Sequence, residues 1–198
     1  VDAGSHDESL VVAQKWGAQC HAPDLKGRGP QIRYGVEQAT SNWCLVLHAD
    51  TRPPLNFFDE LKRHIARIPN LDGGAFRMAY RGKSKLGPLM LLNDLKIRLL
   101  GVSFGDQSQF FRKDRIKEMG GFPNLPLMED LELSLTWKGG AIAYIKSSIS
   151  LTSPRRWQSN GRLKNAWLII KLLIIYLCHR HWNYPVNVTK LYQSYYKK

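Results

Sequence analysis

At 198 residues the chain has room for one domain with a substantial core and no comfortable room for two. Its 43% hydrophobic content is ordinary for a globular protein, but 29 Lys and Arg against 16 Asp and Glu leave a net charge of +13, which suits a polyanion, an acidic surface or a phosphorylated small molecule. The three cysteines Cys20, Cys44 and Cys178 are far apart and in no C-x-x-C arrangement, which argues against a disulfide framework or a zinc site and suits a reducing, cytoplasmic setting.

In chain order, Val1-Asp2 reads as the end of a strand with a terminal acid, and Gly4-Ser5 as the turn after it. Ser5-His6-Asp7-Glu8 carries helix-start chemistry, a capping side chain followed by early acids, for a helix running to about Trp16. A short strand is expected near Ala18 to His21. Lys26-Gly27-Arg28-Gly29-Pro30-Gln31 is a basic glycine loop opening a helix through Ala39. It lacks the Gly-Lys-Ser/Thr ending of a P-loop and the third glycine of a dinucleotide fingerprint, so a solvated loop competes with a phosphate cradle. Trp43 to Leu47 is apolar without alternation, as in a strand covered on both faces, and Thr51-Arg52-Pro53-Pro54 is expected to end the ladder. His48 and Asp50 then lie at the carboxyl end of a strand, where open α/β sheets bind ligands; the alternative for a single Asp there is a turn cap.

Phe58, Leu61, Ile65 and Ile68 fall at helical spacing among Asp59, Lys62 and Arg63, an amphipathic helix for the sheet. Gly73 to Ala79 reads as a strand, Pro88 to Leu100 as a helix stopped by Gly101, Gln107 to Phe111 as a strand and Asp114 to Met119 as a short helix. Glu129 and Asp130 stand in the first turn of a helix running from Pro126 to Gly139, a place where the helix dipole favours carboxylates with or without chemistry. Ala141 to Ile145 and Ser148 to Leu151 are the closing strands. Helices alternating with strands define an α/β layered domain. Thr152-Ser153-Pro154-Arg155-Arg156-Trp157 sets two guanidinium groups beside an indole, either a solvated turn or a clamp for a diphosphate. From Leu163 to Cys178 the chain is largely apolar but shorter than the roughly 20 residues of a bilayer span. An interfacial or core helix is expected there, with basic flanks at Arg162, Lys164 and Arg180 that favour anionic lipid.

Six motifs occur in the order found in family 2 glycosyltransferases: Val1-Asp2-Ala3-Gly4-Ser5-x-Asp7, Gly27-Arg28-Gly29-x-Gln31, Leu47-His48-Ala49-Asp50-Thr51, Gly105-Asp106-Gln107, Gly120-Gly121-Phe122 and Met128-Glu129-Asp130-x-Glu132-Leu133. Over roughly Val1 to Trp157 the chain resembles the small bacterial members that carry His-Ala-Asp in place of the commoner D-x-D. The resemblance implies a GT-A fold, an α/β sandwich with a mostly parallel central sheet that holds a nucleotide-diphospho-sugar along the carboxyl ends of its strands. It implies that Asp2 and Asp7 hold base and ribose, that Asp50 ligates Mg²⁺ or Mn²⁺ on the diphosphate, and that Asp130 is the general base of an inverting transfer to an acceptor hydroxyl. Ser5, Arg28, Gln31, His48, Asp106 and Glu129 are the remaining matching donor-site positions. Arg156 and Trp157 match the Arg-Trp of a Q-x-x-R-W element whose Gln is replaced here by Ser153.

The same resemblance implies a glycosyltransferase domain over 1–157, with 158–198 adding an apolar helix and a basic tail. The implied partners are a nucleotide-sugar donor and an acceptor, a lipid-linked one among the candidates, with peripheral contact at the inner face of the membrane through 163–178 and no nucleic acid. In that family a further βα unit precedes the Asp2 strand, so the chain is expected to be a fragment or truncated form of a longer enzyme. The residues agree with this chemistry: inversion needs one carboxylate base and an electrophilic sink for the diphosphate, whereas a glycosidase needs two carboxyl groups flanking one bond. The competing classes are a basic, non-catalytic protein binding nucleic acid or membrane, suggested by the charge, and an inactive truncated relative.

Overall fold

A computed structural model of the chain describes residues 1–82, 87–137, 139–159, 161–182 and 187–196. The helices are α1 (Ser9–Lys15), α2 (Arg28–Gln38), α3 (Phe57–Arg67), α4 (Gly87–Leu100), α5 (Lys113–Glu118), α6 (Glu129–Thr136), α7 (Arg155–Ser159), α8 (Arg162–His181) and α9 (Val188–Tyr196). The strands are β1 (Trp43–Leu45), β2 (Thr51–Arg52), β3 (Gly73–Tyr80), β4 (Phe110–Arg112) and β5 (Ile142–Thr152), with a 3-10 turn at Gly105–Gln107.

The strands form one sheet in the order β1-β4-β3-β5-β2. Only β3 and β5 pair in parallel; β1 with β4, β4 with β3 and β2 with β5 are antiparallel. The α/β sandwich is as expected, but its sheet is mixed by pairing. β1, β3 and β5 do run in one direction, yet the short reversed β4 is inserted between β1 and β3. Thr51 and Arg52 also pair, opposite Thr152 and Leu151, because their own amides are available and the prolines after them merely limit the strand to two residues. β1 is an edge strand, half-buried along its length rather than covered on both faces, since its ladder has β4 on one side only. A groove of about 780 Å³ runs beside it, between Trp43 to Ala49 and the residues Val1 and Gln19.

Successive side chains of a strand point to opposite faces, and the fully buried Phe110 and Phe111 show how this divides the core. Phe111 packs with Val36, Ile116, Phe122, Leu133 and Trp137 beneath α2, α5 and α6. Phe110 packs with Phe76, Ala143 and Ile145 beneath α3, whose Leu61 and Ile65 meet the sheet as expected, while Phe58 stays exposed and Phe57 takes its place. The two closing strands are one. β5 is continuous, with a register shift opposite Phe76 and Arg77, where the displaced Ser147 and Ser148 donate to Glu60 Oε2 and Asn56 Oδ1 of the α3 region, both at 3.0 Å. The expected strands at Val1-Asp2 and 18–21 reduce to a single contact, the Asp2 amide donating to the His21 carbonyl at 2.8 Å. A third apolar cluster joins Val102, Leu127, Met128 and Leu131 to Leu172 and Tyr176 of α8 and Leu191 of α9. Tyr176 donates to Glu132 Oε2 at 2.6 Å and Arg180 Nε to the same oxygen at 2.9 Å, so α8 is tied to α6 at its polar edge as well.

Candidate active site

The carboxyl ends of β1, β3 and β5 open onto one cavity of about 510 Å³, lined respectively by His48 and Asp50, by Tyr80, and by Thr152 and Ser153. Arg28 at the start of α2, Lys96 of α4, Asp106 of the 3-10 turn and Asp130 at the start of α6 complete its polar end. α6 starts abruptly after Met128, whose backbone is left-handed at φ 66°. The two acids that follow part company there. Glu129, fully buried, turns to Arg28, with Nε 3.0 Å from Oε1. Asp130 turns to the cavity, its Oδ2 accepting the Gly105 amide at 2.8 Å and its Oδ1 the Leu131 amide at 2.7 Å. Behind it the buried Gln109 side chain donates to Ser103 Oγ at 2.8 Å and to the Asp130 carbonyl at 3.3 Å, while Ser134 Oγ donates to the Ser103 carbonyl at 3.0 Å. This network locks the first turn of α6 onto the segment carrying Asp106.

Arg28 is placed by its glycines. Gly27 has φ 95°, and a Cβ on Gly29 would collide with the carbonyl oxygens of Pro123 and Leu125. The Arg28 and Gly29 amides donate to the Pro126 and Leu125 carbonyls at 3.3 and 3.1 Å, so these two amides dock α2 on the loop before α6 and do not cradle a phosphate. The arginine side chain reaches the cavity instead.

The His48 ring packs against the Gly105 backbone, where a Cβ would meet its Nε2, and that nitrogen is buried without a hydrogen-bond partner among the described residues. Burial, then the Arg28 charge, hold His48 below the usual imidazole range, against the pull of Asp130 and Asp50. Asp50 is exposed at the cavity mouth, its Oδ1 accepting the Thr51 hydroxyl at 3.3 Å. Burial pushes Asp106 up to about 6, with Lys96 opposing, and its Oδ1 has no hydrogen-bond partner among the described residues. Burial likewise lowers Lys96 to about 8; its Nζ makes no hydrogen bond among the described residues and sits 3.3 Å from the Phe104 ring centroid. Burial and the neighbouring Asp130 raise Glu129 to about 8, with Arg28 opposing.

Among the described residues no three His, Cys, Asp or Glu side chains form a metal cage. A hard cation shared with a diphosphate needs only one or two carboxylates, the phosphate oxygens and water supplying the rest. Asp50, exposed, acceptor-only and two residues from the unpaired His48 Nε2, fits such an ion.

The cavity therefore gathers Arg28, His48, Asp50, Asp106, Asp130 and Trp157, with Glu129 behind Arg28. Trp157 also meets the Tyr80 ring edge-on at 6.2 Å. The side chain of Arg156 lies outside the described residues. Asp2, Ser5 and Asp7 line neither the cavity nor the groove: Asp2 accepts the Ser5 hydroxyl at 2.6 Å and Asp7 the Ser9 amide at 3.0 Å, local turns that lower both carboxyls, chiefly through those serines. Gln31 lines the groove and donates to the Leu25 carbonyl at 2.9 Å. Sequence reasoning missed Lys96, Tyr80 and Gln109; the available signal was a cation or an amide inside an apolar run.

The α/β sandwich with its mixed sheet has the GT-A fold. Solved structures show the likeness. Glucosyl-3-phosphoglycerate synthase from Mycobacterium tuberculosis, in complex with Mn²⁺, uridine-diphosphate-glucose and glycerol 3-phosphate, matches with a TM-score of 0.62 at 16% identity over 94% of this chain and 69% of that one. TarS 1-349 from S. aureus matches with a TM-score of 0.59 at 15% identity over 98% of this chain and 59% of that one, and its complex with UDP-GlcNAc with 0.61 at 14% over 96% and 60%. The crystal structure of a mycobacterial protein matches with a TM-score of 0.65 at 13% identity over 94% of this chain and 64% of that one. No family model and no curated protein matches the sequence.

Proposed function

We propose that this chain is a glycosyltransferase of family 2 type, moving a sugar from a nucleotide-diphospho-sugar to an acceptor hydroxyl with inversion at the anomeric carbon. The observation that carries the reading is the convergence of Asp130, Asp50, His48 and Arg28, from three separate parts of the chain, on one cavity at the strand ends. That the fold neighbours were solved with UDP-Glc and Mn²⁺ or with UDP-GlcNAc supports the donor class.

Asp130 is the base. Its two oxygens offer about four lone-pair sites, of which the Gly105 and Leu131 amides take two, so the carboxylate is oriented and still accepts a proton. As the acceptor oxygen bonds to the anomeric carbon, its O–H proton passes to Asp130, and the bond from that carbon to the diphosphate breaks with its electron pair on the leaving group. Arg28 and His48 face the diphosphate, the arginine anchored on Glu129. Asp50 would hold Mg²⁺ or Mn²⁺, which would supply positive charge for the departing diphosphate. Trp157 flanks the sugar. Leu163, Trp167, Ile170 and Ile174 form an exposed apolar stripe on α8 that supports peripheral contact at an anionic membrane face, the flanking Lys164 and Lys171 being exposed too. Among the described residues no helix is long and apolar enough to cross a membrane.

A basic, non-catalytic binder would account for the +13 charge but not for acids collected in the cavity. Calorimetric titration with UDP and GDP, with and without Mn²⁺, separates the two. Mn²⁺-dependent binding that is lost in Asp50→Ala is the expected result; Asp50 is exposed, so the variant keeps its fold. Metal-independent binding, or an Asp50→Ala variant that binds as the parent does, removes the metal assignment.

A further inference from the structure

The cavity has two chemically distinct ends. Its charged groups come from the strand ends, α2, α4, the 3-10 turn and the start of α6, whereas α8 contributes only the aliphatic Ala166, Ile169, Ile170, Leu172 and Leu173, beside Leu127 and Met128 before α6, with Tyr195 of α9 also in the lining. The seven side chains from α8 and the loop before α6 contain no hydrogen-bond donor and, apart from the weakly accepting Met128 sulfur, no acceptor; the Tyr195 hydroxyl is the polar atom that α9 adds. A sugar or glycerol phosphate pressed against them would lose the water around its hydroxyls with nothing to replace it. The wall is not sealed. Ile170 is 54% exposed and belongs both to the cavity lining and to the outer stripe of Leu163, Trp167 and Ile174, so the apolar surface runs without a break from Asp130's cavity to the outside of α8.

Resting on the glycosyl-transfer reading above, we infer that the acceptor is an amphiphile, its hydroxylated head at Asp130 and its hydrocarbon part along Leu127, Met128, Ile169 and Leu173. The chain leaves past Ile170 toward the stripe, and Lys96 at the polar end, with its Nζ free of hydrogen bonds among the described residues, has donors to spare for the head. A donor nucleotide does not account for this wall, since its diphosphate belongs with Asp50 and Arg28 at the other end. The four-sided match between a polar head site, an aliphatic wall, an open mouth and an outer apolar stripe is what an amphiphile requires and what a small polar acceptor leaves unused.

The test is calorimetry of the whole chain with n-alkyl glucosides from hexyl to decyl, each below its micellar concentration, with Mn²⁺-UDP binding measured in parallel. Affinity should rise about fourfold for each added methylene, the fold-change that corresponds to about 0.8 kcal/mol per buried CH₂. Ile169→Trp, which fills the cavity wall, should cut off the gain at a shorter chain, while Leu163→Ser, 87% exposed on the stripe, should behave as the parent does. A flat series in the parent overturns the inference, as does a series that Leu163→Ser abolishes and Ile169→Trp leaves alone, which would place the alkyl chains on the outer surface. If Ile169→Trp also loses nucleotide, Leu173→Asn replaces it. Nucleotide binding with a flat series sinks the amphiphile alone; a steep, Ile169-dependent series without nucleotide binding sinks the glycosyl-transfer reading alone.

Discussion

Asp130→Asn tests the central assignment, and its consequences follow from two hydrogen bonds. The carboxylate accepts the Gly105 amide on one oxygen and the Leu131 amide on the other. Asparagine can accept one of them and must aim its own N–H₂ at the second, leaving a buried donor unsatisfied. That costs about 1–3 kcal/mol. At about 2–4 °C per kcal/mol for a chain of this size, the melting temperature falls by roughly 2–12 °C. Loss of a positioned base lowers turnover by about 10²–10⁴-fold, far more than the change in folded population at 25 °C, while Mn²⁺-UDP affinity should change little. Ser134→Ala is the control. It removes the hydroxyl that bonds Ser103 and the Asp130 carbonyl, loosening the same turn without touching the carboxylate, so it should match the loss of stability and retain most turnover. Melting curves, calorimetry and release of UDP from UDP-glucose decide the matter. Nucleotide affinity falling in step with turnover, or Ser134→Ala losing as much turnover as Asp130→Asn, would refute the assignment and leave Asp130 as a structural acid.

Glu129→Gln should change how stability depends on pH. The folded chain keeps the Glu129 proton up to about 8 while the unfolded chain releases it near 4.5, so this group's contribution is fully present below 4.5 and is lost as pH rises through 8. Removing it should improve the variant relative to the parent from pH 5 to pH 8, by at most about 1.4 kcal/mol per pH unit; parallel urea midpoints across that range would contradict this. Gly29→Ala gains helix propensity of about 1 kcal/mol but drives a methyl into the Pro123 and Leu125 carbonyls at a cost of about 1–3 kcal/mol, so a net loss of up to about 2 kcal/mol is expected, together with weaker Mn²⁺-UDP binding as Arg28 shifts. An unchanged melting temperature would show that the loop before α6 yields freely.

What the sequence determined by itself was local. Helical spacing located α3, glycine stopped α4 at Gly101, and the break from apolar residues to His48 and Asp50 marked a strand end, because each signal lies within a few residues of what it decides. Strand direction and partnership are not local. Nothing in Phe110-Phe111-Arg112 says that it runs backwards between β1 and β3, and the two prolines after Arg52 do not reveal that Leu151 and Thr152 lie opposite. The site divides the same way. Asp50, Asp106 and Asp130 were legible from their motifs, whereas the contact between Arg28 and Glu129 spans 101 positions, and Lys96 Nζ lies over the Phe104 ring only because the fold brings the two together. Burial decides such features, and burial is set by elements distant in the chain. Hence Glu129 and Asp130, neighbours in sequence and both carboxylic acids, differ in role once one is closed in with an arginine and the other opens onto the cavity.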